Sequence, residues 1–379
     1  MKKITLNTMF ILLMGTFAIF TSCKKDKTTP EPPTAVADVK FKAGGGHSFI
    51  LKPDGSLWGV GYTDFGQIGT GTLTSVNNWI KVADNVQAVA AGYQHSLILK
   101  KDNTVWATGL NDKGQVGDGT KVNQSKFVQV ATNATKIYAS LYASFIIKAD
   151  HTLWAAGWNY SGMLGHNDGS ESLSFVQVDK DMKSVANGTN HSLFLKMDNT
   201  LWAIGANNSG QLGDASLPNG STTKVKIADN VKEMAAGANH TLVLKNDNTL
   251  WGCGWNGYGQ LANITPLNTA MKTLTQIASD VKTVQIPTHG ANSYYIKNDN
   301  TLWGTGWNGY GQLATGNNTD QAAFFKISDN VIDFSAGYAH LLFLKTDKTI
   351  WGSGADDIGQ IGNGTTGKHQ NTLVKVVIP

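Results

Sequence analysis

The ten residues from Trp303 to Gln312 contain the spacing G-x-G-x-x-G, at Gly304, Gly306 and Gly309. In dinucleotide-binding folds this spacing brings the backbone and a helix N-terminus close to a pyrophosphate. The spacing occurs again at Gly252, Gly254 and Gly257, and no helical periodicity follows either copy. A cofactor loop of this kind needs that helix and its βαβ unit. We therefore interpret these glycines as turn and packing residues of a repeated unit, and we expect no cofactor.

Histidines are the second group that could do chemistry. Five of them occupy one position in successive units of about 48 residues, namely His47, His95, His191, His240 and His340. Ligands of one metal ion must approach it to about 2.1 Å, and residues on five separate units are too far apart for that. The sequence therefore predicts no metal site. It predicts instead that these histidines brace the fold through hydrogen bonds to the backbone.

The remaining inventory for catalysis is small. Glutamate occurs only at Glu31, Glu171 and Glu233, and most aspartates fall in recurring turns. No Ser-His-Asp, H-E-x-x-H or C-x-x-C arrangement is evident, although acyl-transfer, zinc or thiol chemistry would need such groups. We predict no catalytic residues and no enzymatic activity.

Aromatic residues form the third group. Six of them follow predicted strand ends, namely Trp158, Tyr160, Trp255, Tyr258, Trp307 and Tyr310, and Tyr62 takes the corresponding position in the first unit. Such positions lie in loops, where exposed rings anchor protein partners or stack on sugars. We predict that these seven residues bind a partner and that Trp255 and Trp307 share a patch on one face. The alternative is that the rings only cap the edges of the sheets.

A repeat of about 48 residues positions all of these groups. Its clearest mark is a tryptophan that recurs seven times, at Trp58, Trp106, Trp154, Trp202, Trp251, Trp303 and Trp351. Lysine precedes it by six residues and aspartate by four, and glycine follows it by three and by eight, in all seven copies. We call these positions the frame tryptophan, frame lysine, frame aspartate and frame glycines, and the recurring histidine position the frame histidine.

Each copy contains four segments typical of strands, which in copy 2 span residues 86–92, 96–100, 104–109 and 127–131. A four-stranded antiparallel unit cannot bury both faces alone, so neighbouring units must stack. Seven such units predict an all-β fold, a seven-bladed β-propeller of four-stranded antiparallel blades over residues 39–379. We expect the frame tryptophans to be the main packing residues between blades. Small first-strand residues should lie near the axis, and frame lysines should pair with frame aspartates in solvent.

The first 38 residues differ from the repeats. Residues 1–22 combine Lys2 and Lys3 with an apolar run from Met9 to Phe20 that is too short to span a bilayer, which predicts a lipoprotein signal peptide. Cys23 is then the lipidated residue, and residues 23–38 form a flexible tether. We expect a lipid anchor in the bacterial outer membrane, on its periplasmic side or at the cell surface. An ordinary secretory signal is the alternative, and it too would export the chain.

Charge argues against nucleic acid as a partner. All 31 basic residues are lysine, and the net charge of the chain is only +4. A nucleic-acid-binding surface is normally strongly basic, and arginine is the residue favoured for bidentate contacts with phosphate and guanine. We therefore predict that the protein does not bind nucleic acid.

The pattern G-x-x-H-[ST]-L, L-K-x-D-N-T-L-W and G-x-N-x-x-G-Q-L-G resembles the repeats of the regulator of chromosome condensation family, which are seven-bladed propellers. The segment Ala91 to Thr120 is a close match, and the resemblance covers about 340 residues. The resemblance implies the fold, but function resides in sites grafted onto folds. An exported, arginine-free chain is badly placed for the nucleotide exchange and chromatin binding of the family's nuclear founder. Whether a strand exchanged between the termini closes the ring is open from the sequence.

These observations together predict a non-catalytic binding scaffold. It would be a monomer that touches the membrane only through its N-terminal lipid and presents loops to an unidentified protein partner at the cell envelope. The alternative is a carbohydrate-binding module that holds a glycan on the exposed tryptophan and tyrosine rings.

Overall fold

The computed structural model describes residues 39–166, 169–262 and 268–379. The predicted signal peptide, Cys23 and the tether lie outside these residues. Within them the chain forms 28 strands in seven four-stranded antiparallel sheets, with one short 3₁₀ turn at Tyr160–Gly162. Each sheet is one blade, and its strands pair in sequence order. The predicted all-β, seven-bladed propeller is confirmed.

The first four blades are built from the first four copies of the repeat. Blade 1 contains β1 (Lys40–Ala43), β2 (His47–Leu51), β3 (Leu57–Gly61) and β4 (Val76–Ala83). Blade 2 contains β5 (Val86–Ala91), β6 (His95–Lys100), β7 (Val105–Gly109) and β8 (Gln124–Ala131). Blade 3 contains β9 (Ala134–Ala139), β10 (Ala143–Lys148), β11 (Leu153–Gly157) and β12 (Ser172–Asp179). Blade 4 contains β13 (Met182–Asn187), β14 (His191–Lys196), β15 (Leu201–Gly205) and β16 (Ser221–Ala228).

The last three blades follow the same order. Blade 5 contains β17 (Val231–Ala236), β18 (His240–Lys245), β19 (Leu250–Trp255) and β20 (Ala270–Ala278). Blade 6 contains β21 (Val281–Gln285), β22 (Asn292–Lys297), β23 (Leu302–Gly306) and β24 (Gln321–Ser328). Blade 7 contains β25 (Val331–Ala336), β26 (His340–Lys345), β27 (Ile350–Gly354) and β28 (Gln370–Lys375).

The antiparallel order sorts the connections onto two faces of the ring. In every blade the loops from the first to the second strand and from the third to the fourth strand leave at one end, which we call the loop face. The tight second-to-third hairpins and the turns between blades lie at the other end, the hairpin face. The first strands surround a central cavity of about 320 Å³, whose wall includes small residues as predicted, among them Ala43, Ala91, Ala139, Ala236 and Ala336.

The hairpins show the turn chemistry predicted for them but not the predicted ion pairs. Asn103 has a φ of 64°, and the frame aspartate Asp102 accepts hydrogen bonds from the backbone N–H and the hydroxyl of Thr104 at 3.0 and 2.6 Å. The frame lysine turns to the frame tryptophan instead, with Nζ of Lys148 3.6 Å from the ring centroid of Trp154. Equivalent contacts occur in five further copies. The expected lysine–aspartate pairing is wrong because the indole face attracts the ammonium group.

Apolar clusters join each blade to the next, and the one between blades 1 and 2 is typical. Phe49, Leu57 and Ile98 are fully buried there, whereas the frame tryptophan Trp106 packs against the cluster half-buried. Its indole Nε1 donates to the Thr104 hydroxyl at 2.9 Å. The frame tryptophans of six copies therefore pack between blades as expected, but at the edge of each cluster rather than as its main residue. Smaller apolar side chains fill the clusters, because an indole keeps its N–H beside a polar partner at the edge.

The frame histidines also join consecutive blades. Each imidazole Nε2 lies 2.8–3.1 Å from a hydroxyl oxygen of the next blade, in the pairs His47–Ser96, His95–Ser144, His191–Thr241, His240–Ser293 and His340–Ser48. The Ser144 hydroxyl in turn donates to the Gln115 carbonyl at 2.6 Å, so the imidazole must be the donor to it. The predicted bracing role is found, but the partner is a side-chain hydroxyl rather than the backbone. We call these five residues the histidine belt.

The ring closes between blades 7 and 1 by the same contacts that join the other blades. His340 of blade 7 reaches Ser48 of blade 1 at 2.8 Å, and the Tyr338 N–H donates to the Gly44 carbonyl at 3.1 Å. Each of these blades takes all four strands from its own copy of the repeat. Packing therefore closes the ring, and blades 1 and 7 exchange no strand. No helix in the part of the chain described here has the length and apolar character needed to cross a membrane.

Candidate functional site

The seven aromatic residues predicted to bind a partner all lie at the loop face. Tyr160 and Tyr258 are 51% and 44% exposed, and the other five are half-buried. Trp255 is the last residue of β19, and the others follow the third strands of their blades. The same face carries the loops that vary most between copies, so aromatic rings and variable loops are concentrated at one end of the propeller.

Side chains from several blades meet over the axis at this face. The ring of Tyr93 contacts the rings of Tyr338 and His289, with centroids 5.5 and 5.8 Å apart. His289 stacks on Tyr338 at 5.9 Å, and its Nδ1 lies 2.6 Å from the Thr189 hydroxyl. These residues belong to blades 2, 7, 6 and 4. Because one imidazole reaches blades on opposite sides of the ring, His289 must lie at the axis, above the central cavity.

This central group extends toward the rim through blades 6 and 7. The Trp307 ring lies 5.7 Å from Tyr338 and 5.4 Å from Tyr310, and Tyr310 lies 4.6 Å from His369. We define the axial aromatic cluster as Tyr93, His289, Trp307, Tyr310, Tyr338 and His369. The sequence predicted two of its members, Trp307 and Tyr310, and missed the other four.

The other predicted residues lie outside this cluster. Trp158 stacks on Tyr160 with centroids 5.1 Å apart on blade 3, and Tyr62 contacts Phe65 at 6.4 Å. The indole of Trp255 covers its own loop, because a Cβ at Gly257 would lie 2.4 Å from its Nε1. The ring contacts found among the described residues do not join Trp255 to Trp307. The Trp307 indole covers its own loop in the same way, since a Cβ at Gly309 would lie 2.9 Å from its Nε1, but of the two tryptophans only Trp307 has a ring contact in the axial aromatic cluster.

The loop face is acidic as well as aromatic. The third-to-fourth loops, over the described residues, carry eight carboxylates and three lysines, namely Asp64, Asp112, Asp118, Glu171, Asp214, Asp320, Asp356 and Asp357 against Lys113, Lys121 and Lys368. Burial, followed by neighbouring phenols, raises the pKa values of Tyr93 and Tyr338, so both rings are neutral at physiological pH. Within the described parts of the chain, no group of three or more His, Cys, Asp or Glu side chains is placed to hold a metal ion.

The repeats have a counterpart among known families. Models of the regulator of chromosome condensation (RCC1) repeat match residues 86–115, 231–260 and 198–244. The matched residues lie in blades 2, 4 and 5 and support a propeller of this type. No curated protein matches the chain significantly.

Solved structures agree on the architecture. Human WBSCR16 is similar with a TM-score of 0.74 and 19% identity, over 86% of this chain and 94% of that one. Yeast RCC1 (Prp20) bound to Kap60 is similar with a TM-score of 0.69 and 21% identity, over 79% and 78%. Prp20p from Saccharomyces cerevisiae, described with its binding properties to Gsp1p and histones, is similar with a TM-score of 0.71 and 20% identity, over 79% of this chain and 81% of that one. Identities this low show a shared fold alone.

Proposed function

We propose that this protein is a non-catalytic scaffold that binds a protein partner on its loop face, and that a lipid on Cys23 holds it at the cell envelope. The observation that carries the proposal is the axial aromatic cluster, in which rings from blades 2, 6 and 7 meet at the centre of the face that bears the variable loops. Two similar structures point the same way, since yeast RCC1 was solved with Kap60 bound and Prp20p was described with Gsp1p and histones.

The loop face combines a rigid support with aromatic rings suited to binding. The histidine belt and seven apolar clusters hold the blades, so the loops project from a stiff support, where recognition residues are usually found. Tyr and Trp are enriched among the residues that contribute most to protein interfaces, because each offers a large apolar surface with few rotatable bonds. Trp307, half-buried and in contact with two neighbouring rings, is oriented before a partner arrives, which lowers the entropic cost of binding.

We expect Trp307→Ala to weaken partner binding by at least tenfold, since truncating a central aromatic anchor typically costs 2 kcal/mol or more. Partners captured from outer-membrane extracts by the parent protein would be titrated against both forms. Met197→Ala is the matched control, because Met197 is a large apolar side chain 49% exposed outside the loop face.

Three results would decide the proposal. Equal affinity of parent and Trp307→Ala for the captured partner would refute it. If the parent protein binds glycans on an array and Trp307→Ala does not, the carbohydrate-binding alternative is favoured instead. The anchor is tested separately, because growth with a labelled fatty acid should label the parent protein and leave Cys23→Ser unlabelled.

A further inference from the structure

Charge is distributed unevenly between the loop face and the rest of the propeller. The described loops of the loop face hold eight carboxylates and three lysines, whereas the other described residues hold 23 lysines and 15 carboxylates. The first-to-second loops contain no charged residue. The loop face is therefore negative although the described propeller as a whole is slightly positive. Such a separation creates a potential that attracts a cationic partner to one end of the ring.

The lysines of the loop face do little to neutralise the axial aromatic cluster. Lys121 forms an ion pair with Glu171, and Lys113 lies 4.0 Å from the same carboxylate, both at blades 2 and 3. Apart from Tyr93 of blade 2, the cluster lies on blades 6 and 7, next to blade 1. In that sector the exposed carboxylates are Asp64, Asp320 and Asp357, of which Asp357 lies 3.7 Å from Nδ1 of His369. Lys368 is the only lysine in the described loops there, and Lys126 of β8 extends over Gly71 of the blade 1 loop.

The rings of the cluster are free of the cations that cover other tryptophans. In six copies a lysine Nζ lies 3.6–5.4 Å from the centroid of the frame tryptophan. The one further such contact among the described residues joins Lys224 to Phe194. Trp307, Tyr310 and Tyr338 are therefore aromatic surfaces in a negative environment without an internal cation, which is the arrangement that attracts an ammonium or guanidinium group.

We propose that the loop face selects a lysine- or arginine-rich segment of its protein partner. One cationic side chain lies against Trp307 and Tyr338, and others face Asp64, Asp320 and Asp357. This inference rests on the proposed function for the place of the site and adds the charge of the partner. A glycan lacks the charge that these carboxylates would attract, and an acidic peptide would be repelled by them.

The test uses the full mature chain and two labelled probes of equal length, a deca-lysine and a deca-glutamate peptide. We expect deca-lysine to bind, deca-glutamate to bind at least tenfold more weakly, and deca-lysine affinity to fall as NaCl rises from 50 to 300 mM. Trp307→Ala and the triple variant Asp64→Asn, Asp320→Asn, Asp357→Asn should each weaken deca-lysine binding about tenfold.

A matched triple variant controls for total charge. Asp84→Asn, Asp229→Asn and Asp329→Asn remove three exposed carboxylates from turns of the hairpin face, and this variant should bind deca-lysine as the parent does. Equal binding of the two peptides, or equal effects of the two triple variants, would overturn the charge selection. Neither result would show whether binding of the captured natural partner requires Trp307. The proposed function is therefore tested separately, by the affinity of that partner for Trp307→Ala.

Discussion

Replacing Gly157 by alanine is expected to destabilise the propeller by about 2–6 kcal/mol. Gly157 is the frame glycine three residues after the tryptophan, with a φ of +113°. A Cβ there would lie 2.2 Å from the Tyr142 carbonyl oxygen and 2.8 Å from the Cα of Ala143. Strain at such a φ costs about 1–3 kcal/mol, and overpacking against backbone adds about 1–3 kcal/mol more. Urea unfolding followed by circular dichroism measures the difference.

Gly364→Ala separates the two causes. Gly364 also has a positive φ, +83°, but no atom lies within 4 Å of the position of its Cβ. It should therefore cost only about 1–2 kcal/mol, from backbone strain alone. If both variants lose the same stability, the close approach at Gly157 is not the reason for its glycine.

The same geometry explains why the repeat was readable from the sequence. All seven glycines at this position have φ between +102° and +113°, and each added Cβ would lie 2.2–2.5 Å from a backbone carbonyl oxygen of the neighbouring strand connection. No other residue fits, so the position is glycine in every copy and marks the period. The fold class, the number of blades and the hairpin turns can be predicted from such constraints, because each constraint occurs in all seven copies of the repeat.

Contacts between copies were harder to predict than contacts within one. The size and recurrence of the frame tryptophan indicate a core residue. They do not show which end of its indole is exposed to solvent. The axial aromatic cluster joins Tyr93, His289 and Tyr338, which are far apart in sequence and meet only because the ring closes. One signal was available, since Val281 and Asn292 are eleven residues apart where the corresponding Val86 and His95 are nine apart. The two extra residues allow His289 to reach the axis.

The irregular positions of the histidine belt show the same limit. Copy 3 has Ala143 in place of a histidine, and the Ser192 hydroxyl of the next blade is instead 2.6 Å from the Asn187 amide nitrogen. Copy 6 has Asn292, and the next blade carries Leu341 where the others have a hydroxyl. Each departure is matched by a second change in the following blade. The sequence displays both changes but does not show that they are neighbours.

Mild acid is expected to unfold the propeller, because the histidine belt must be neutral in the folded state. Burial lowers the pKa values of His47 and His240 to about 3 and those of His95, His191 and His340 to about 4, from 6.5. Below pH 6.5 the unfolded chain therefore binds more protons than the folded one, so the free energy of unfolding falls as pH falls.

The expected loss is large on the scale of protein stability. Five histidines contribute about 1.4 kcal/mol each per pH unit, so roughly 10 kcal/mol is lost by pH 5, compared with a total of about 5–15 kcal/mol for a typical protein. Asp356, Glu233 and Asp333 act in the opposite sense, since burial raises their pKa values, that of Asp356 to about 6, but the five belt histidines outnumber them. Urea unfolding at pH 7.5, 6.5, 6.0 and 5.5 gives the slope and hence the number of protons taken up.

Substituting one histidine of the belt tests whether the belt causes the dependence of the free energy of unfolding on pH. Asparagine already occupies the frame histidine position of copy 6, at Asn292, so His191→Asn should be tolerated while removing one titrating group. The slope below pH 6.5 should then fall by about 1.4 kcal/mol per pH unit. A parent protein whose free energy of unfolding stays constant from pH 7.5 to 5.5 would contradict a neutral, buried belt, because every belt member would then have to take up a proton in the folded ring as readily as in water.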